Sequence, residues 1–435
     1  MNNKALNPEI KDKTLKILDK TGGNICPRCL GRNFSLDIEA SDNLERGEFI
    51  RKKLNEAEFD KNELFEVVNN YIHNNDCMDS TECHICHDIF RIINNDLIES
   101  IYLQLNNLNI EFETFLVGCR VNNDILQKEK DIQESVQVDV ENIKKEINRE
   151  IGKALSIRIG KEVEFETPHL VILLDFTRDT DTPQLEVQIN PLFIEGRYKK
   201  LIRGIPQTKW PCRECKGKGC QRCNYTGKMY QESVEELISP KILKEAGGIE
   251  SKFHGAGRED IDVKMLGTGR PFVLEIKEPH RRNLDLKDLE KKINQYNSGK
   301  VEISDLKFTN KSRRSQIKTS STDTYKVYRA KVSLDKEITP ENLDIIKSMG
   351  KIEQRTPKRV AHRRADLVRK RVVRNIEIKV LADEYLELII ECQGGLYIKE
   401  LISGDDNRTN PSISSILNVE ARCMRLDVLD VHITD

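Results

Sequence analysis

An α+β architecture spread over several domains is the fold class that the sequence predicts. A chain of 435 residues is too long for one ordinary core. Apolar residues recur at helical spacing through long charged stretches, and short strand-like runs bounded by glycine, proline and polar clusters lie between them. Aromatics make up 6% of the chain and charged residues 33%, with a formal net charge of −1 that hides strong local asymmetry. No stretch approaches the roughly 18 apolar residues that a membrane span needs, so no membrane partner is expected. The start, Met1 to Leu6, lacks the apolar core of a secretory signal. Eight of the twelve cysteines fall in four Cys-x-x-Cys pairs. Together these favour metal binding in a reducing cytoplasm over a disulfide framework.

Residues 4–20 read as a Lys-rich helix ended by Gly22-Gly23, followed by the knuckle Cys26-Pro-Arg-Cys29. The segment to about residue 73 places Phe49, Ile50, Leu54, Phe59, Leu64, Phe65 and Val68 at helical spacing, and Cys83-His-Ile-Cys86-His then supplies a second thiolate pair. Cys26, Cys29, Cys83 and Cys86 are the expected ligands of a structural zinc, with Cys77, His84 or His87 as possible replacements for one of them. Between 88 and 165 a strand is expected at Phe112–Val117 and a helix from about Val138 to Leu155. Further strands are expected at His169–Phe176 and Leu185–Ile189. A helix delivering the chain to an apolar strand beside an alternating one fits an α+β module.

The run Gly196 to Arg203 sets Arg197, Lys199, Lys200 and Arg203 around Tyr198, which suits a nucleic acid backbone and an unpaired base, or equally a solvated basic face. Cys212, Cys215, Cys220 and Cys223 lie within twelve residues, with Gly217 and Gly219 letting the chain reverse between the pairs. They form a closed four-thiolate set, so a second structural zinc is expected there. A helix is expected over Glu232–Ala246. Strands are expected at Ile261–Leu266 and Phe272–Ile276, joined by a tight turn, with Asp260 at the entrance and Arg258 and Arg270 flanking it. Asp260 and Asp262 are either reacting carboxylates or solvent-facing residues of that hairpin. Farther on come a strand at Tyr325–Val332 and a block, residues 351–374, with ten Lys or Arg against two acids, read as a β-ribbon for a polyanion. Two final strands, Tyr385–Cys392 and Arg425–Ile433, flank Gly394 to Thr409.

No dinucleotide fingerprint, phosphate loop, Ser-His-Asp set or open zinc site is present. An enzyme built from these residues must work with carboxylates, tyrosines and lysines. That suits a rearrangement at a nucleoside in which a carboxylate attacks base or sugar, with no organic cofactor.

Arg258-Glu-Asp260-Ile-Asp-Val263, Lys326-Val-Tyr328-Arg-Ala and Leu396-Tyr397-Ile-Lys399-Glu-Leu401 resemble, in order, three motifs of the pseudouridine synthases. The knuckles, the Asn190–Trp210 run and Gly257–Phe272 resemble more closely the archaeal-type tRNA pseudouridine synthase that acts on positions 54 and 55 of the T-loop. The resemblance covers nearly the whole chain. It implies a zinc-binding helical region at 1–90, a THUMP-like RNA-binding α+β domain at 91–208, a four-cysteine zinc module at 209–228 and a pseudouridine synthase domain at 229–435 with a central, mostly antiparallel mixed sheet. It also implies that Asp260 is the nucleophile, Tyr328 the active-site tyrosine, Lys399 the cation that keeps Asp260 ionised, and Tyr397 a second substrate contact. Where the bacterial pattern has Arg, Lys399 offers a point charge without a fork. Asp262 stays the rival nucleophile, since two residues along a strand face the same way.

The implied substrate is the T-arm of tRNA, gripped by Arg258, by Arg197 in its basic run, and by Arg369, Lys370 and Arg371 of the ribbon. A monomer is expected, without DNA as a partner. From another class, a zinc-stabilised tRNA-binding adapter or chaperone with no chemistry at Asp260 fits the same cysteines and basic stretches.

Overall fold

The computed structural model describes residues 6–56, 63–73, 82–178, 182–319, 324–338, 340–382 and 385–432; Phe59 and Cys77 lie outside them. The chain divides into two compact units, Met1–Asn190 and Pro191–Asp435.

The first unit carries helices at Pro8–Thr21, Asn43–Asn55, Glu63–His73, Asn95–Asn107, Asn123–Val136 and Ile143–Ile159. Their starts are fixed by side-chain oxygens that satisfy otherwise orphaned backbone N–H groups: Asn7 accepts from Glu9, Asp42 from Glu45 and Asn142 from Lys145. Gly22 and Gly160 end two of them in the left-handed conformation. A four-stranded sheet follows from β1 (Thr114–Arg120), β2 (Glu162–Val163), β3 (Leu170–Asp175) and β4 (Gln184–Ile189), in the order β2-β1-β3-β4. Strand β3 alternates, with Leu170, Ile172 and Leu174 turned inward. The expected boundary near residue 90 is not a break in the core, because Cys29 and Cys83 belong to the same buried cluster as Phe115, Ile147 and Ile172.

The second unit is built on a ten-stranded sheet. Its strands are β5 (Leu192–Lys200), β6 (Glu250–Gly255), β7 (Lys264–Lys277), β8 (Val301–Thr309), β9 (Tyr325–Leu334), β10 (Lys351–Arg355), β11 (Val368–Ala382), β12 (Tyr385–Gln393), β13 (Thr409–Asn410) and β14 (Ala421–Val431). The order is β13-β10-β11-β12-β9-β14-β7-β5-β8, with β6 also on β7. Every pairing is antiparallel except β14 with β7, so the sheet is mixed but mostly antiparallel, as expected. Strand β12 buries Leu386, Leu388, Ile390 and Cys392 in strict alternation. Strand β7 is buried continuously from Gly269 to Ile276, as a strand covered on both faces must be.

Three expectations need correction. Residues 192–200, assigned by sequence to the RNA-binding region, form β5, which lies between β7 and β8 inside the large sheet. The division therefore falls at 190/191, not at 208/209. Residues 261–263 are not strand: the Val263 N–H bonds the Asp260 carbonyl at 3.1 Å in a turn, and the strand leading to Asp260 is β6. The Gly267–Pro271 stretch is not a hairpin turn either, because β7 runs through it as a bulge. Gly267 sits there at φ +55°, and a Cβ would meet the Leu429 carbonyl oxygen at 1.8 Å. The basic ribbon is present as β10 paired with β11, Arg355 opposite Val368.

Candidate active site

Asp260 sits in the connection between β6 and β7, and that connection is held from beneath by a buried polar network. Lys200 of β5, with no exposed surface, donates from Nζ to the carbonyls of Ile205, Asp260 and Ile261 at 3.0, 3.1 and 3.3 Å. Glu259 points inward, where it accepts from the Tyr198 hydroxyl at 2.9 Å and from Arg270 Nε at 2.8 Å. Arg270 also donates to the Ala256 carbonyl, and Gln207 ties the Tyr198 hydroxyl to the Gly257 carbonyl. Burial pulls the Lys200 ammonium down from its ordinary value, and Glu259 opposes that shift. Burial pushes the Tyr198 phenol up, reinforced by Glu259. Gly257, at φ +77°, brings the backbone close to two cations, for a Cβ would lie 3.1 Å from Lys326 Nζ and 3.3 Å from Arg270 Nη1.

With its backbone fixed in this way, Asp260 presents its carboxylate to a cavity of about 380 Å³, within the range of roughly 300–1,000 Å³ usual for small-ligand sites. Tyr328 of β9, Arg258, Arg369 and Arg371 of β11, Tyr397 and Lys399 line the same cavity. Tyr328 stands opposite Ile390 of β12 and Val428 of β14, so sheet register fixes its place, and burial pushes its phenol up. Tyr397 precedes the helix Ile398–Ser403 and is held through its backbone by the amide of Gln354, at 2.8 and 3.0 Å. Arg371 Nε donates to the Gly394 carbonyl at 3.0 Å, and Arg369 donates to Thr356 Oγ1 at 2.8 Å.

Two cations approach Asp260. Arg359, on the 3₁₀ turn Lys358–Arg363, places Nη1 2.9 Å from Oδ2, while Lys399 Nζ is 3.6 Å away. Lys399 makes its short contacts with Asp262 instead, at 2.7 and 2.9 Å. Arg359 reaches back with Nε to Glu400 at 2.5 Å. Burial pulls the Arg359 guanidinium down, but pairing with Glu400 and Asp260 outweighs that and leaves it raised. Asp262 is pushed up by burial and drawn lower overall by Lys399.

Four residues that the sequence put at the site stand differently in the fold. Arg270, expected to flank Asp260 with positive charge, does line the cavity, but it is 2% exposed and spends its charge on Glu259. Arg197, expected to grip RNA, donates to the carbonyls of Thr268, Gly269 and Val431 at 2.8, 3.0 and 3.0 Å, clamping the β7 bulge rather than facing a ligand. Lys370 does not line the cavity; its side chain is 82% exposed and pairs with Glu353. Asp262 leaves the turn with its side chain 65% exposed and does not line the larger cavity. Sequence reasoning missed Arg359, one of ten cations in its block, and Lys326, whose ammonium burial beside Arg270 pulls down to about 8.

The eight cysteines assemble as expected into two tetrads, Cys26/Cys29/Cys83/Cys86 and Cys212/Cys215/Cys220/Cys223, each with its sulfurs within 4.8 Å of one another. Tetrahedral zinc–thiolate bonds of about 2.3 Å imply sulfur–sulfur edges of roughly 3.8 Å. Cys26–Cys86, Cys212–Cys220 and Cys215–Cys223 stand at 3.7, 3.9 and 3.8 Å. Backbone N–H groups point at the sulfurs, Gly219 to Cys215 at 3.1 Å and Cys26 to Cys83 at 3.3 Å, as thiolates require. Arg32, buried against Glu129 and Glu146, adds a guanidinium 3.4 Å from Cys29 Sγ. Both donor sets fit a metal ion. His84 and His87 belong to neither tetrad; His87 pairs with Glu82 and Asp124.

The family model described as Pus10, C-terminal, matches residues 193–432, and that of the archaeal Pus10 THUMP domain matches residues 99–175. The tRNA pseudouridine synthase Pus10 of Methanothermobacter marburgensis is 48% identical, covering 97% of this chain and 99% of its own. Its counterparts in Methanosphaera stadtmanae and Methanocaldococcus jannaschii are 42% and 43% identical, each over 94% of this chain and over 96% and 92% of their own. A chain of the solved Cbf5-Nop10-Gar1 complex is a remote likeness, 17% identical over 46% of this chain and 45% of its own, with a TM-score of 0.28. Fold, cavity and matches define a pseudouridine synthase that carries a THUMP domain. Within that class the chain belongs to the Pus10 family. Among the described residues no helix is long and apolar enough to cross a membrane.

Proposed function

We propose that this chain isomerises uridine to pseudouridine in the T-loop of tRNA, at positions 54 and 55, with Asp260 as the nucleophile. The observation that carries this reading is the Asp260 carboxylate held between Arg359 and Lys399 at the edge of a cavity walled by Tyr328 and arginines. The carboxylate adds to the base or the sugar of a uridine flipped from the loop, the N1–C1′ bond breaks, and the base turns. The C5–C1′ bond then forms, the bond to the Asp260 carboxylate breaks and frees it, C5 gives up its proton and N1 gains one, so mass is unchanged. No organic cofactor takes part. Unstacking the target costs a few kcal/mol, less in a strained loop. Tyr328 stacks on the extruded base and, as a phenol kept protonated by burial, donates a hydrogen bond. Tyr397 and Arg258 contact the substrate, and Arg369, Lys370 and Arg371 neutralise the loop phosphates. The THUMP-bearing unit grips the tRNA at a distance, zinc fills both tetrads as a structural ion, and the enzyme acts as a cytoplasmic monomer.

The test is pseudouridine formation in an unmodified tRNA transcript, mapped by position, for the wild type and Asp260→Ala, with tRNA affinity measured in parallel. Product in the T-loop that disappears in the variant while binding persists supports the reading. Undiminished activity in the variant moves the nucleophile to Asp262 or elsewhere. Wild-type protein that binds tRNA and makes no pseudouridine is an adapter.

A further inference from the structure

A second cavity, about 220 Å³, adjoins the first and shares Arg258, Glu259, Asp260, Arg359 and Lys399 with it; its remaining wall includes Pro206, Gln207 and Trp210. Trp210 is the only tryptophan in the chain. Its ring is half-buried, braced edge-on by Tyr230 at 5.6 Å with the Arg258 guanidinium 5.7 Å from its centre. The backbone around it is fixed as well. The Trp210 carbonyl accepts from Met229, and Cys212, two residues on, is the first ligand of the second tetrad. That tetrad has no contact with the larger cavity, and anchoring Trp210 gives it a task.

Arg359 and Lys399 on this wall are paired with Asp260 and Asp262, so the indole with the Arg258 guanidinium beside it is the part whose chemistry takes an unpaired base. Because the two cavities share a wall, a nucleotide joined directly to a uridine in the larger one can set its base in the smaller. We infer that the Trp210 cavity receives the unpaired base adjoining the target uridine, stacked on the indole, so that the enzyme removes two consecutive bases from the loop stack. This inference rests on the reaction proposed above.

A single tryptophan makes the subsite directly readable. Intrinsic fluorescence of the full chain is titrated with an intact tRNA transcript and with two transcripts lacking the base immediately 5′ or immediately 3′ of the target. In parallel, kcat and KM for pseudouridine formation are measured for wild type, Trp210→Phe and Trp210→Ala. Intact tRNA is expected to quench the tryptophan, and one of the two abasic transcripts is expected to bind without quenching. That transcript should lose on the order of tenfold in kcat/KM with the wild type and nothing further with Trp210→Ala, while Trp210→Phe keeps most of the activity. Saturating tRNA without quenching overturns the subsite, as does an abasic penalty equally large in wild type and Trp210→Ala. The quench does not depend on chemistry. Base-dependent quenching with no pseudouridine formed overturns the proposed reaction and leaves the subsite standing.

Discussion

The guanidinium of Arg359 lies 2.9 Å from the Asp260 carboxylate, the shortest ion pair Asp260 makes among the described residues. Arg359→Met should therefore slow pseudouridine formation about a hundredfold, the size usual when one fixed donor is lost at a reacting group. Arg359→Lys should recover only part of this, because a point charge cannot serve Asp260 and Glu400 at once. Glu400, 5% exposed, loses a partner in the Met variant, so single-turnover rates are best taken well below its thermal midpoint.

Lys326 provides a pH test whose sign is fixed. Its folded value, about 8 against 10.5, lets the unfolded chain hold the proton more tightly between those limits. Stability contributed at this position is thus lowest below pH 8, rises through the window and is fully recovered above it. Lys326→Met, which removes the buried charge, should be more stable than wild type at pH 7 by up to roughly 3 kcal/mol. Chemical denaturation of both proteins from pH 7 to 10.5 should show the difference shrinking to nothing; a constant difference would refute it.

Loading with zinc should give two equivalents per chain, released to a colorimetric chelator on thiol modification. Cys29→Ser should lower the content by one and unfold the first unit, since Cys29 sits in its core and a zinc of this kind supplies on the order of 10 kcal/mol of folding free energy. Cys215→Ser should also cost one equivalent yet leave the far-UV circular dichroism and midpoint of the first unit intact.

Salt dependence separates cations that face solvent from those consumed by the fold. Lys370→Ala should flatten the plot of log affinity for tRNA against log salt by about 0.7, one phosphate's worth on a single strand. Arg197→Ala should leave the slope unchanged and lower the melting temperature, because its donors hold three carbonyls of the β7 bulge and β14.

What the sequence disclosed was local. Cys-x-x-Cys pairs bring sulfurs together within a turn, and strands such as Tyr385–Gln393 show their inward face by strict alternation. The roles that escaped notice are set by tertiary approach. Ile261 and Val263 carry strand chemistry, yet they sit in or beside a turn, because Lys200 and Glu259 pull that backbone inward. The Gly196–Arg203 run looked like one basic face. In the fold, Tyr198 and Lys200 are buried, Arg197 clamps a bulge and Arg203 binds the Asp262 carbonyl. Arg359 could not be told from its neighbours until the fold set the 3₁₀ turn Lys358–Arg363 against the Asp260 carboxylate.

Lys200 belongs to the first strand of its unit and holds the carbonyls of Asp260 and Ile261. A fragment beginning at the second cysteine cluster would keep Asp260, Tyr328 and Lys399 and yet lose the strand that holds the Asp260 turn. Without β5, the β7 and β8 edges lose their common neighbour and the turn beneath Asp260 loses its anchor. The unit that carries the site begins at Pro191, ahead of every segment that carries its motifs, so those segments depend on a strand that carries none of those motifs.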